Sequence, residues 1–209
     1  MKFVAVLVGG SGSRMGFTEK PLIKVCGRRI IDRIADLHFP LLIVCGESNF
    51  DIYREVADEL SELTDVRVVK DAIPQLGPLG GIYTALLECD SVVAVGGDMP
   101  FVKREVVSFL FKKGEELGCD ALIPEWSDGK KEPLLAYYSS SALPAFRETI
   151  ERGERRIMQA VSRMKRVFFI SVHEIKNIDK NLISFFNVNT PEDLKRAEEL
   201  CSSIDLEGE

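Results

Sequence analysis

Short runs of apolar residues alternate along the first half of the chain with longer segments whose apolar residues recur at helical spacing. The short runs are typical of buried strands, and they cover residues 2–8, 41–46, 66–71 and 91–99. The longer segments are typical of amphipathic helices, and they cover residues 28–38, 50–63, 80–89 and 103–117, with Gly118 ending the last one. In the second helix the pattern predicts one face made by Ile52, Val56, Leu60 and Leu63.

The second half of the chain continues the alternation less regularly. Strands are expected over residues 120–124, 133–138 and 167–172, and helices over residues 141–153, 155–164 and 191–200. The last helix has a good start signal, because Thr190 precedes Pro191 and Asp193 occupies the third helical position. Apolar strands between amphipathic helices predict an α/β fold, a three-layer α/β/α sandwich with a Rossmann-like, mostly parallel sheet.

Composition and charge narrow the class of protein. The chain has 209 residues, of which 45% are apolar, which suits one α/β domain over residues 1–209 with a polar, frayed tail at 201–209. Its net charge of −6 argues against a nucleic-acid binder. No stretch approaches the ~18 apolar residues of a membrane span, and the N-terminal run is too short for a signal peptide. We therefore expect a cytoplasmic protein that binds neither nucleic acid nor membrane.

The five cysteines are widely spaced and odd in number. No pair of them has the close spacing of a metal site or of a disulfide framework. Reduced, mostly buried thiols are therefore the expectation for Cys26, Cys45, Cys89, Cys119 and Cys201.

Polar and glycine-rich groups follow three of the predicted strands. The run "GGSGSR" follows the first strand, Asp71 ends the third, and "GGDMP" ends the fourth. In a parallel sheet the carboxyl ends of the strands meet at one edge, where ligands bind. The sequence therefore predicts a ligand site at this edge.

The loop after the first strand distinguishes between nucleotide-binding motifs. A mononucleotide P-loop needs Gly-Lys followed by Ser or Thr, whereas Lys20 lies between Glu19 and Pro21. A dinucleotide loop needs G-x-G-x-x-G, and the spacing here is one residue too long. Glycines that admit a base or phosphates, with Arg14 and Lys20 as cations, fit the nucleotide loop of a nucleotidyltransferase better.

The sequence resembles the MobA-type molybdenum cofactor guanylyltransferases of the nucleotidyltransferase superfamily. The pattern L-x-G-G-x-x-x-R-M-G-x-x-x-K is filled from Leu7 to Lys20, and four further stretches agree in order: "KDAIPQLGPLGGIYTAL", "VGGDMPFV", "GERRIM" and "FFNVNTPEDL". The resemblance implies the fold of the nucleotide-diphospho-sugar transferases. It also implies transfer of GMP from GTP to the terminal phosphate of molybdopterin, with release of pyrophosphate.

The resemblance implies roles for individual residues. Catalysis would rest on Arg14, Lys20 and Asp98, with Asp98 also binding Mg²⁺ or, as an alternative, Mn²⁺. The nucleotide would be bound by Leu7, Val8, Gly9, Gly10, Lys20, Asp71, Gly77, Gly80 and Asp98. The acceptor would be bound by Arg155, Arg156, Asn187 and Asn189. Residues 1–118 would then be roughly the nucleotide-binding half and residues 119–200 the acceptor-binding half.

Some positions depart from the family pattern. Glu19 replaces an aspartate, Gly80 replaces an alanine, and Glu47 lies where some relatives have asparagine. Gly10 lies where cytidylyltransferases generally have alanine, which favours GTP over CTP. Open alternatives are a guanylyl- or cytidylyltransferase for another acceptor, such as adenosylcobinamide phosphate or a sugar phosphate, and a non-catalytic nucleotide or cofactor carrier. The expected partners are GTP and molybdopterin, with transient contact to cofactor-biosynthesis proteins or apo-molybdoenzymes.

Overall fold

The computed structural model of the chain describes residues 1–8 and 19–204. The strands in these residues are β1 Lys2–Val8, β2 Lys24–Val25, β3 Arg28–Arg29, β4 Leu41–Cys45, β5 Val66–Lys70, β6 Ser91–Gly96, β7 Ala121–Glu125, β8 Leu135–Ser139 and β9 Val167–Ser171. The helices are α1 Ile30–Ala35, α2 Phe50–Leu60, α3 Pro78–Glu88, α4 Arg104–Leu117, α5 Leu143–Glu151, α6 Ile157–Val161, α7 Val172–Ile175 and α8 Pro191–Ile204.

Seven of these strands form one sheet in the order β5-β4-β1-β6-β8-β7-β9. Strands β5, β4, β1 and β6 are parallel, whereas β8 runs antiparallel to both of its neighbours, β6 and β7. Strand β9 pairs in parallel with β7, so β8 is the one reversed strand of the sheet described here. The prediction of a mostly parallel sheet is confirmed.

Helices cover both faces of the sheet, as predicted. Along β1, Val4 and Val6 face the layer that contains α1, α2, α4, α7 and α8, while Phe3 and Ala5 face the layer of α3, α5 and α6. Because successive side chains of a strand point to opposite faces, a strand buried on both sides reads as a continuous apolar run. The three-layer α/β/α arrangement is therefore confirmed.

The buried face of α2 differs from the predicted one. Tyr53, Val56, Ala57 and Leu60 are buried, whereas Ile52 is 43% exposed and Leu63, beyond the helix end, is 40% exposed. The prediction was wrong for Ile52 and Leu63. Helical spacing identifies a stripe only to within a residue or so, and the phenol ring of Tyr53 fills the core on the neighbouring stripe.

A short hairpin shortens the first predicted helix. Strands β2 and β3 pair antiparallel around Cys26 and Gly27, which both have positive φ angles of 51° and 75°. Two consecutive residues with positive φ are typical of tight hairpin turns, and glycine at the second adopts that conformation without strain. Arg28 and Arg29 therefore belong to a strand, and α1 begins at Ile30.

The two ends of α8 give different outcomes. At its start, Thr190 Oγ1 accepts from the Asp193 backbone N–H at 3.1 Å and the Asp193 carboxylate accepts from the Thr190 backbone N–H at 3.0 Å, which confirms the predicted cap. The helix continues to Ile204, beyond the predicted end at residue 200. None of the helices in the described part of the chain combines the length and apolar composition that a membrane span requires.

The prediction of five reduced cysteines was wrong for one pair. Cys26, in the hairpin turn, and Cys201, in α8, form a disulfide across 175 residues of sequence. Their pairing depends on how α8 packs against the hairpin, which the spacing of cysteines cannot reveal. Cys45, Cys89 and Cys119 are free thiols, and burial raises the pKa of each to about 11.

Candidate active site

The carboxyl edge of the parallel strands carries Asp71 after β5 and Asp98 after β6. Strand β1 ends at the same edge with Leu7 and Val8. Gly9, Gly10 and Arg14, also predicted for this site, lie outside the described residues. The predicted juxtaposition of the strand-end groups at one edge is therefore observed for Asp71 and Asp98.

Asp98 is placed by two glycines that leave no room for a side chain. A Cβ atom at Gly96 would lie 2.7 Å from Asp98 Oδ1, and one at Gly97 would lie 2.6 Å from Cγ of Pro21. Both distances are shorter than any relaxed contact, so the turn after β6 packs tightly against the segment that carries Lys20. The Asp98 side chain retains 19% exposure, so its carboxylate reaches the surface of the site.

Lys20 connects the two halves of the chain at this edge. It begins a 3₁₀ turn over Lys20–Leu22, and its ammonium lies 3.1 Å from Asp98 Oδ2 and 2.6 Å from Asn189 Oδ1. The structure thus brings together three residues that the sequence assigned to catalysis, nucleotide binding and acceptor binding. An ammonium with two oxygen partners is held as a charge-assisted hydrogen-bond donor.

Asn189 is held by the backbone on both sides. The Val188 backbone N–H donates to the Asp98 carbonyl at 2.8 Å, and the Asn189 backbone N–H donates to Asp193 Oδ2 at 3.0 Å. These bonds lower the pKa of Asp193, because the backbone N–H of Asn189 and the Thr190 groups stabilise its charged form more than burial disfavours it. Asn187 is half-buried and donates to the Phe185 carbonyl at 2.9 Å.

Asp71 is held against the start of α3. Its Oδ1 accepts from Thr84 Oγ1 at 3.0 Å and from the Ile73 backbone N–H at 3.3 Å. Gly77 precedes the helix with a φ of +60°, which favours glycine, and a Cβ atom at Gly80 would lie 3.2 Å from Asp71 Oδ1. The glycines assigned to the nucleotide therefore lie directly beside Asp71.

Arg155 and Arg156 lie at the same edge of the sheet but in the other helical layer. The antiparallel β8 returns the chain to the amino edge, where Ser140 N–H donates to the Asp90 carbonyl, and α5 then runs back towards the carboxyl edge. Both arginine side chains are exposed and form no ion pair with another described residue. No contact in the described structure joins them to Lys20, Asp98 or Asn189.

Several residues of the site escaped the sequence analysis. Gly96 and Gly97 stood in a quoted motif, but only the close approach of Asp98 and Pro21 explains them. The Glu19 carboxylate accepts hydrogen bonds from the Tyr53 hydroxyl and the Asn49 amide. The only sequence signal for Glu19 was its position beside Lys20.

The oxygen donors at this edge fit one kind of metal site. No group of three or more His, Cys, Asp or Glu residues in the described structure could hold a metal ion by itself. Asp98 supplies one carboxylate, and Asn189 supplies an amide oxygen nearby. Mg²⁺ is usually held by one or two carboxylates together with substrate phosphates and water, so this set fits an ion bound along with a nucleotide.

Comparison with known proteins identifies the family. The model of the MobA-like NTP transferase domain matches residues 4–167. A protein of Methanosarcina mazei named "Probable molybdenum cofactor guanylyltransferase" is 37% identical over 91% of this chain and 87% of its own length. A protein of the same name from Thermococcus kodakarensis is 35% identical over 92% of each chain.

A solved structure agrees with this result. Molybdopterin-guanine dinucleotide biosynthesis protein A from Archaeoglobus fulgidus superimposes with a TM-score of 0.82 at 42% identity, covering 97% of this chain and all of that one. The agreement extends over α8 and the Asn187–Asn189 segment, beyond the residues that the family model matches. The chain belongs to the MobA-like NTP transferase family.

Proposed function

We propose that this protein transfers GMP from GTP to the terminal phosphate of molybdopterin and releases pyrophosphate. The observation that carries the proposal is the contact of the Lys20 ammonium with both Asp98 and Asn189, which joins the nucleotide and acceptor halves. The names of relatives at 35–37% identity over nine-tenths of the chain support it.

The chemistry asks for charge neutralisation and alignment more than for a base. A phosphate oxygen of molybdopterin attacks the α-phosphorus of GTP, a new P–O bond forms, and the bond to the bridging oxygen of the leaving pyrophosphate breaks. The attacking oxygen is already an anion, so no proton needs to be removed. In the proposal, Arg14 and Lys20 neutralise phosphate oxygens, and positioned cations of this kind provide most of the stabilisation of the transition state.

Asp98 is the proposed ligand of Mg²⁺, or of Mn²⁺ in its place. When bound, such an ion neutralises negative charge on the phosphates and aligns them. The contribution of the chain is a carboxylate fixed at the end of β6 by Gly96 and Gly97, with 19% exposure towards the site.

The remaining assignments follow the geometry of the sheet edge. We propose that the nucleotide lies against the loop from Leu7 to Gly10 and against Asp71, Gly77 and Gly80. The acceptor would lie between Asn187, Asn189 and the two arginines Arg155 and Arg156, in one domain over residues 1–209. Delivery of the product through transient contact with apo-molybdoenzymes or other biosynthesis proteins is the finer part of the proposal.

The test measures pyrophosphate release in a matrix of substrates. GTP, CTP and ATP are each combined with molybdopterin and with adenosylcobinamide phosphate, with and without Mg²⁺. Release with GTP and molybdopterin alone, and only with Mg²⁺, is expected. Release with the cobinamide would keep the reaction type and overturn the acceptor. GTP binding without release from any pair would indicate a non-catalytic carrier.

A further inference from the structure

Glu19 is the last residue of the segment that leads into Lys20, and its side chain points away from the Lys20 contacts. Its Oε2 accepts from the Tyr53 hydroxyl at 2.6 Å, and its Oε1 accepts from the Asn49 amide. Both donors are neutral and belong to the segment after β4. A carboxylate beside a phosphate-binding cation is otherwise unfavourable, because it repels a polyanionic ligand.

Tyr53 is built to hold this carboxylate. It is fully buried in the core beneath β4, and burial, together with the hydrogen bond to Glu19, raises its pKa above the usual value. The hydroxyl therefore stays protonated and donates. A buried hydroxyl without a partner is costly, whereas a hydrogen bond to a charged acceptor is about twice as strong as one between neutral groups.

The backbone transmits the position of Glu19 to Lys20. The Glu19 carbonyl accepts from the Leu22 backbone N–H at 3.1 Å and so closes the 3₁₀ turn that begins at Lys20. On the other side of Lys20, Pro21 packs against Gly97, with no room for a Cβ atom between them. Lys20 is therefore fixed from both neighbours, by the Glu19 carboxylate before it and by Pro21 after it.

We infer that Glu19 and Tyr53 are positioning residues for the transfer reaction, with Asn49 as the second support. They set the start of the 3₁₀ turn so that the Lys20 ammonium reaches Asp98 and Asn189. This inference rests on the proposed function, because it assumes that Lys20 acts in the transfer. Neither Glu19 nor Tyr53 needs to touch a substrate for this role.

The first test compares two tyrosines. Tyr53→Phe keeps the ring and removes the donor to Glu19, and it is expected to lower kcat about tenfold while KM for molybdopterin is unchanged. Tyr137→Phe is the matched control, because it removes another buried hydroxyl, which bonds Ser91 at the amino end of β6. The control is expected to retain full kcat. An unchanged kcat in Tyr53→Phe, with the variant folded, would overturn the inference.

A polarity swap separates positioning from general stability. Glu19→Gln is expected to lower kcat, and the double variant Glu19→Gln with Asn49→Asp to restore much of it, because the amide–carboxylate pair is rebuilt in reverse. A residue with only a structural role would lower the melting temperature without this recovery of kcat. Failure of the swap to restore any activity would count against Asn49 as a support.

A readout without catalysis keeps the two proposals distinguishable. The acetylation rate of Lys20 by an amine-reactive ester is measured by mass spectrometry, with the exposed Lys112 as internal reference. Release of Glu19 in Tyr53→Phe is expected to raise the rate at Lys20 about tenfold, because its hydrogen bonds to Asp98 and Asn189 are weakened. If the wild-type chain fails to turn over GTP, the proposed function fails, whereas an unchanged rate at Lys20 would overturn the positioning role.

Discussion

Asp71 and Asp98 each follow a parallel strand, whereas Lys20 and Asn189 lie on irregular segments that are 169 residues apart in sequence. The position of each aspartate is set by the register of neighbouring strands, as β1 and β6 pair over six residues. Lys20 and Asn189 depend on individual side-chain hydrogen bonds and on one disulfide. The difference teaches that the acidic groups are as rigid as the sheet, while their partners can be released by single substitutions.

The covalent link offers the largest test of this contrast. Cys26 follows Lys20 in the chain and Cys201 follows Asn189, so their disulfide ties the two irregular segments together. Reduction is expected to lower the free energy of unfolding by about 5 kcal/mol, because the loop that the bond closes spans most of the chain. Urea unfolding with and without reductant measures the change.

The Cys26→Ser variant provides the control for this experiment, since reductant should leave its unfolding midpoint unchanged. Thiol titration should also count two additional reactive thiols after reduction, because burial keeps Cys45, Cys89 and Cys119 protonated. An unfolding midpoint that stays constant while two thiols appear would show that the disulfide adds no stability.

The strand-end carboxylate is expected to matter most for catalysis. Asp98→Asn should lower kcat by about a thousandfold and leave the melting temperature nearly unchanged, because the residue is polar and partly exposed. Pyrophosphate release measures the loss. Asp65→Asn is the matched control, because Asp65 precedes β5 at the opposite edge of the sheet and is 59% exposed. Substantial turnover by Asp98→Asn would remove Asp98 from the proposed metal site.

The irregular partner of Lys20 should have a smaller effect. Asn189→Ala removes the amide oxygen that accepts from the Lys20 ammonium, and it is expected to lower kcat/KM about tenfold. Steady-state kinetics with GTP and molybdopterin measure the loss. Asn177→Ala, at an exposed position after α7, should behave as the wild type. Equal kinetics for the two variants would contradict a role for Asn189 in holding Lys20.

The cap of α8 should have the smallest effect and a defined pH dependence. Asp193→Ala is expected to lower the free energy of unfolding by about 1 kcal/mol, since it removes the acceptor for two backbone N–H groups. The folded-state pKa of Asp193 is lowered, so its contribution is complete above the unfolded pKa of about 3.9 and disappears as the pH falls through the folded value.

Thermal or urea unfolding between neutral and acid pH measures this contribution. Glu192→Ala is the control, because Glu192 lies in the same first turn of α8 but accepts none of these cap bonds. Wild type and Asp193→Ala should converge at low pH, where the carboxylate is protonated in both the folded and the unfolded chain. A constant difference across the pH range would contradict the cap as its source.

The same contrast explains what could be predicted from the sequence. The parallel strands and the edge that gathers Asp71 and Asp98 follow from local apolar patterns, because a strand buried on both faces has few alternatives. The Gly118 helix end and the Thr190–Asp193 cap are also local signals, and they were confirmed.

The remaining features depend on contacts between distant segments. The Cys26–Cys201 bond and the Lys20–Asn189 contact join residues whose separation in sequence is set only by the folded packing. The buried face of α2 was misassigned for a related reason. Two adjacent helical stripes were both apolar enough, and the choice fell to Tyr53, whose hydroxyl finds Glu19.

The bond between Cys26 and Cys201 also makes most of the polypeptide a covalent ring. One backbone cut by a protease at any point between these two residues would open the ring but release no fragment. The nicked molecule would migrate as one species on a non-reducing gel and separate into pieces only after a thiol is added. In a proteolytic environment, the oxidised chain would therefore tolerate a first cleavage in any surface loop of that span without losing mass.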